Sequence, residues 1–310
     1  MRAVTRDRQP DPRSERIPGE SDLELLSKVG QGNWRAVRVI NYPISRMLEV
    51  AASWAKAIEG VEKPWLVWCV HPDWALIQQR LIETTGWTPI VGRDPRATEV
   101  PLSKKAISVD FNRGLDLPRL YPHFPLELAF AWVDRLAFWH SDLLVREGRM
   151  RSYAESFEAL QDGECAATKP AFWLRTLLSA KQRRYWELLG CTTRGASRDQ
   201  WDRGAGWWCN FHMHINCPSE QEREHRKRFY YDAGTGIWFW ATKLNGKVQT
   251  IPEKEIKEGH FTKIGNPNFQ RSIPQNQSAT MRDMRGDLDR NIDLKRAATS
   301  LDLGHLLGAG

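Results

Sequence analysis

The sequence predicts an α/β protein built on a mixed, mainly parallel central sheet. Three observations predict it. Strand-like apolar runs alternate with stretches of helical spacing from residue 36 onward. Those runs are apolar throughout, as strands covered on both faces must be. The run LAFWHSDLL (136–144) turns polar only near its tip, at His140, Ser141 and Asp142.

Taken in order, AVRVINYP (36–43) is a β-branched run ended by Pro43 and predicts a first strand. ISRMLEVAASWAKAIEG (44–60) places Met47, Leu48, Ala51, Ala52 and Ile58 at helical spacing before Gly60 stops it. PWLVWCVHP (64–72) predicts a second strand, DWALIQQRLIETTG (73–86) a helix capped by Asp73, and WTPIVGRDP (87–95) a third strand. KAISVDFNRG (105–114) is the next strand candidate, and FPLELAFAWVDR (124–135) is a helical stretch that feeds directly into LAFWHSDLL. A long helix is expected over Arg149–Leu160, then a Trp-rich α+β segment from 171 to 264. From Gly265 the chain is polar and rich in Gln and Asn, and it ends in a helix-like stretch over 287–307. No internal repeat is present.

Composition narrows the class. The chain has 310 residues, 41% hydrophobic and 27% charged, the balance of a folded soluble protein. No run approaches the ~18 apolar residues that a membrane-spanning helix requires. The first residues, MRAVTRDRQPDPRSERIPGESD, carry no apolar segment after their arginines, unlike a secretory signal. Five cysteines in apolar or aromatic surroundings fit reduced thiols better than a disulfide framework, so a cytoplasmic location is expected. A net charge of +7 suits contact with phosphates or with an anionic membrane surface. Of the fifteen tryptophans, Trp207, Trp208, Trp238 and Trp240 adjoin Gly-rich turns, where flat rings either line a cleft or fill the core.

The polar tip carries the chemistry. An oxygen ligand from Asp142, with His140 beside it, could hold Mg²⁺ or Mn²⁺ against a diphosphate, since such ions keep positions open for water and phosphate. The alternative is a strand that ends in a polar turn. Arg46, Arg113 and Arg194 are candidate phosphate partners because a guanidinium offers a bidentate fork; the alternative for each is a solvated surface charge. Cys209, His212, His214 and Cys217 invite a zinc reading, but four ligands within nine residues leave too little chain to fold round one tetrahedral ion. EREHRKRFYY (222–231) interleaves basic and aromatic residues as nucleic-acid surfaces do, yet its mixture with acidic residues fits a solvated helix face better.

The order of these features resembles the GT-A class of nucleotide-sugar glycosyltransferases, over roughly residues 35–264. VRVINYPISRMLE looks like the first strand and nucleotide-binding turn, VDFNRG like an Asn/Arg/Gly turn, and FWHSD stands at the place of the metal-binding DXD motif. SRDQWDRGAGWW (197–208) looks like the acceptor-side segment, and GHF (259–261) stands where several such enzymes supply a C-terminal His to the metal. His140 replaces the first Asp of DXD, and no Glu-Asp pair follows Trp208.

The resemblance implies a Rossmann-like GT-A fold with a Trp-rich acceptor-side half. It divides the chain into a disordered basic leader (1–34), a nucleotide-sugar-binding half (35–145), an acceptor-side half (146–264) and a polar extension with a terminal helix (265–310). It implies a hexosyltransferase-like enzyme that moves a sugar from a nucleotide-diphosphate donor to a saccharide, lipid-linked or protein acceptor, assisted by a divalent cation. His140, Asp142 and His260 would hold the metal. Tyr42, Arg46, Asp94, Asn112, Arg113 and Arg194 would line the nucleotide, Trp207 and Trp208 the sugar, and Asp199, Asp202 or Glu220 would serve as base. The competing expectations are a non-catalytic nucleotide-binding protein and a nucleic-acid-binding module.

Overall fold

The computed structural model describes residues 44–93, 97, 99–111, 113, 123–169, 184–207, 234–261 and 293–308, with only the backbone described at 44–46 and 123–124. The expected first strand at 36–43, the Cys/His cluster at 209–217 and the basic stretch at 222–231 lie outside these residues.

Helix α1 (Ile44–Ala57) leads into β1 (Pro64–Cys69), α2 (Pro72–Glu83), β2 (Thr88–Arg93) and β3 (Ile107–Ser108). Two short helices, α3 (His123–Glu127) and α4 (Ala129–Trp132), precede β4 (Arg135–Trp139). The expected single helix over 124–135 breaks at Leu128, and Val133 is already extended at ψ 157°, so the chain straightens before the strand begins. Helix α5 (Glu147–Glu158), β5 (Glu164–Lys169), β6 (Trp186–Thr193), α6 (Arg194–Asp202), α7 (Thr235–Lys243), β7 (Lys247–Pro252) and α8 (Glu253–Ile256) follow. A 3₁₀ turn over Lys257–Gly259, helix α9 (Leu294–Ser300) and a last 3₁₀ turn over Gly304–Leu306 complete the described chain.

The seven strands among the described residues form one sheet in the order β3-β2-β1-β4-β6-β5-β7. Only β6 runs against the rest: it pairs antiparallel with β4 and β5, whereas β1–β2, β2–β3, β1–β4 and β5–β7 are parallel. The mixed, mainly parallel sheet predicted from the sequence is therefore present, and it runs unbroken through the expected boundary at 145.

Alternation along each strand splits the core in two. Leu66 and Trp68 of β1 and Leu136 and Phe138 of β4 face one layer, built from α1, α3, α4, α6 and α7. Trp65, Val67, Ala137 and Trp139 face the other, built from α2, α5 and the C-terminal segment. Most described tryptophans are structural, and Trp54, Trp65, Trp74, Trp87, Trp207 and Trp240 are all fully buried. Such rings need bare backbone beneath them: a Cβ on Gly92 would lie 2.5 Å from the Trp68 ring. Helix α2 begins one residue earlier than expected, because Pro72 occupies its first turn, and its cap is His71 rather than Asp73.

Chain direction fixes where a ligand can sit. From β1 the chain moves to β2 and β3 on one side, then returns to place β4 on the other. The crevice outside the carboxyl ends of β1 and β4 is the topological switch point, where open α/β sheets bind ligands.

Candidate metal centre

Strand β4 ends at that point. The backbone N–H of His140 donates to the carbonyl of Leu188 at 2.9 Å, a last bond to β6, and the N–H of Leu143 closes the next turn onto His140 at 3.1 Å. Gln78, fully buried on α2, clamps this turn: its side-chain amide donates to the carbonyls of His140 at 2.8 Å and of Leu143 at 2.9 Å.

The third member of the site comes from far along the chain. Leu143 and His260 form an isolated antiparallel bridge. The N–H of Leu144 donates to Gly259 at 3.0 Å and that of Phe261 to Asp142 at 3.3 Å. Gly259 is required for this approach, since a Cβ there would fall 1.6 Å from the Leu144 carbonyl oxygen. Phe261 anchors the far side of the turn, buried edge-on against Trp74 with ring centroids 5.4 Å apart.

The result is a compact His–Asp–His cluster. Asp142 Oδ1 contacts His140 Nδ1 and lies 3.3 Å from His260 Nε2, and one ligand atom from each residue falls within 4.8 Å of the other two. The Asp142 side chain is only 3% exposed, whereas His140 and His260 are 25% and 15% exposed, so the cluster opens to solvent on its imidazole side. Burial alone would push the Asp142 carboxyl upward, but the charges and hydrogen bonds of the two imidazoles outweigh it and hold the group well below its ordinary value of 3.8. Two nitrogens and one ionised oxygen converging from one side are a fitting donor set for a divalent transition ion, with its remaining positions left to water or substrate.

The other expected residues are not gathered here. Arg194 follows β6, whose end pairs with the start of β4 rather than its tip, and its guanidinium is engaged by Asp134 at 2.6 Å and by the Phe130 carbonyl at 2.6 Å. These contacts hold it at the opposite end of β4 from the cluster. Asp199 accepts from Arg203 at 2.9 Å and from the Trp240 indole at 2.7 Å. It lines a groove with Asp162, Gly163 and Lys247 near the starts of β5 and β7. That edge is a strand length from the metal cluster, roughly 13 Å at ~3.3 Å per residue, so Asp199 cannot serve as a base there. Asp202, nearly one turn on, is paired with Arg198 at 2.9 Å on an exposed face. Trp207 is fully buried, its ring edge-on to Phe138 at 4.9 Å, and is a core residue rather than a cleft wall.

Arg113 is exposed and follows β3, at the correct edge of the sheet but three strands from β4. Tyr42, Asp94, Asn112, Trp208 and Glu220, and the side chain of Arg46, lie outside the described residues. A second groove, of about 540 Å³, is lined by Lys63, Asp134, Arg135, Glu158, Asp162 and Arg194. It too opens at the amino edge of β4, and two ion pairs cross it, Lys63 with Glu158 at 2.8 Å and Arg194 with Asp134 at 2.6 Å.

Sequence reasoning passed over Gln78. The signal was present: on α2, Trp74, Gln78, Leu81 and Ile82 share one face, and a polar side chain on an otherwise apolar stripe must find partners.

No family model, curated protein or solved structure matches the chain. Among the described residues, no helix is long and apolar enough to cross a membrane.

Proposed function

We propose that the chain is a metal-assisted glycosyltransferase of the GT-A kind, cytoplasmic, taking a sugar from a nucleotide diphosphate. One observation carries this reading: a His140–Asp142–His260 cluster, open on one side, stands at the carboxyl end of β4, beside the switch point of a mainly parallel sheet. A nucleotide laid across that crevice would bring its diphosphate to the exposed imidazole side.

The donor set favours Mn²⁺ over Mg²⁺, because two imidazoles suit a borderline ion while Mg²⁺ takes oxygen almost exclusively. When bound, such an ion supplies the positive charge that a leaving diphosphate needs. Asp142 gives the site its fixed negative charge, the His140 and His260 rings set its open face, and the residues next to each in the chain, Trp139, Leu143 and Phe261, are buried. With Asp199 and Asp202 removed from the site, Glu220 is the remaining candidate base.

A second reading has its own support in the ligand set, since two histidines and one carboxylate on one face are also the donors of Fe(II) oxygen-activating centres. One experiment separates the possibilities. The metal-stripped protein is reconstituted with Mn²⁺, Mg²⁺ or anaerobic Fe(II). It is then assayed for nucleoside diphosphate release from a panel of sugar nucleotides, and for oxygen uptake. Mn²⁺-dependent release from one donor is the expected result. Fe(II)-dependent oxygen uptake without release favours the second reading, and thermal stabilisation by nucleotide without turnover favours a binding protein.

A further inference from the structure

We infer that Gln78 is the positioning residue of the metal centre, holding the His140–Asp142 turn in the conformation that presents its ligands; this rests on the metal-binding reading above. Gln78 is fully buried, and its amide nitrogen donates to the two carbonyls that bracket the turn, His140 at 2.8 Å and Leu143 at 2.9 Å. Only the NH₂ end of the amide can satisfy two acceptors at once, so its orientation is decided by its partners. The amide oxygen, also buried, makes no hydrogen bond among the described residues. The side chain thus spends both donors on this one turn and leaves its acceptor unused, an arrangement that costs stability.

The same helix carries a control. Gln79 is equally buried, but its amide bridges the Pro101 carbonyl at 2.9 Å and the Ser103 N–H at 2.8 Å, a loop that does not touch the cluster. Gln78 works on the centre through backbone carbonyls. Removing its donors frees the His140 carbonyl and lets the ring and the Asp142 carboxylate drift from their shared focus. Partners that orient metal ligands in this way typically contribute ten- to hundredfold in metal affinity.

The test uses the full chain stripped with chelator, titrated with Mn²⁺ and, for the geometry of the centre, with Co²⁺ followed by its visible absorption. Gln78→Met should weaken Mn²⁺ binding about tenfold or more and shift the Co²⁺ bands. Gln79→Met should lower the melting temperature comparably while leaving affinity and spectrum as in the wild type. Should Gln78→Met fail to fold, Gln78→Asn replaces it with the same expected result, because its amide is one methylene short of both carbonyls. Unchanged affinity and spectrum in the Gln78 variant, or equal losses in the Gln78 and Gln79 variants, overturn the assignment. A wild-type protein that takes neither Mn²⁺ nor Co²⁺ overturns the metal reading itself and the assignment with it, a result visible before any variant is made.

Discussion

Gly259→Ala places one methyl group where two backbones pass. The new Cβ would stand 1.6 Å from the Leu144 carbonyl oxygen, whereas real Cβ atoms stay beyond 3.0 Å, so the two segments must part by the difference of 1.4 Å. The obstacle is a main-chain atom, with no flexible side chain to move aside. Parting them breaks the Leu144-to-Gly259 and Phe261-to-Asp142 bonds, of 3.0 and 3.3 Å. At about 1 kcal/mol each the cost is roughly 2 kcal/mol, or about 4–8 °C in Tm for a domain of this size. His260 shares the displaced turn, so its Nε2 leaves its position 3.3 Å from Asp142. Mn²⁺ affinity should then fall about ten- to hundredfold. The assay pairs a thermal melt of the metal-free protein with a Mn²⁺ titration followed by electron paramagnetic resonance. Gly148→Ala serves as the control, since a Cβ there meets nothing within 4 Å. A Gly259→Ala protein with wild-type Tm and wild-type affinity would refute the reasoning.

Other consequences are as direct. Asp142→Asn should abolish Mn²⁺ binding. In metal-free protein the folded-state value of Asp142 lies below 3.8, so its ionised form stabilises the fold above that pH, and the contribution is lost as pH falls through the lower native value. Urea midpoints of the wild type and Asp142→Asn should therefore converge below pH 3.8, and a constant gap down to pH 2 would contradict the environment described for this carboxylate. Burial pushes the Cys165 thiol up to about 12 and the Cys191 thiol upward as well, and Cys69 is buried with them. Peptide mapping after iodoacetamide treatment of native protein should find all three unmodified, with labelling only in denaturant. Asp199→Ala strands the Trp240 indole N–H; it should cost roughly 1–3 kcal/mol in a denaturation curve and leave Mn²⁺ affinity unchanged, whereas a loss of affinity would return Asp199 to the site.

Periodicity made the first half of the sheet legible. α1, β1 and β2 fall within the predicted stretches and α2 starts one residue ahead of its own, because each buries a face of unbroken or regularly spaced apolar residues. Two members of the candidate cluster, His140 and Asp142, were legible for a chemical reason, since an apolar run that ends in His-Ser-Asp leaves its polar groups at a strand tip, whereas His260 was reached only through the family resemblance. The other half was less so. β5 reads ECAATK, small residues with no branched run, and owes its place to pairing with β6 and β7 rather than to its own propensity. The reversal of β6 belongs to its partners and leaves no mark on WELLGCTT. Trp207 misled because a Gly-rich turn beside an aromatic ring looks the same in sequence whether the ring faces a ligand or, as here, Phe138.

His260 stands 118 residues downstream of Asp142, and the strip joining them is braced in turn by Arg146, which pairs with Glu258 at 3.2 Å and with Asp302. During synthesis the emerging polypeptide therefore carries two of the three ligands for a long interval before it acquires the last. Folding from the N-terminus can complete much of the sheet in that time, yet not the centre. On the metal-binding reading proposed above, a complete donor set would be reserved for a chain translated past His260. An ion held there would tie the turn around His260 to the tip of β4, so removing it with a chelator should lower the stability of the fold.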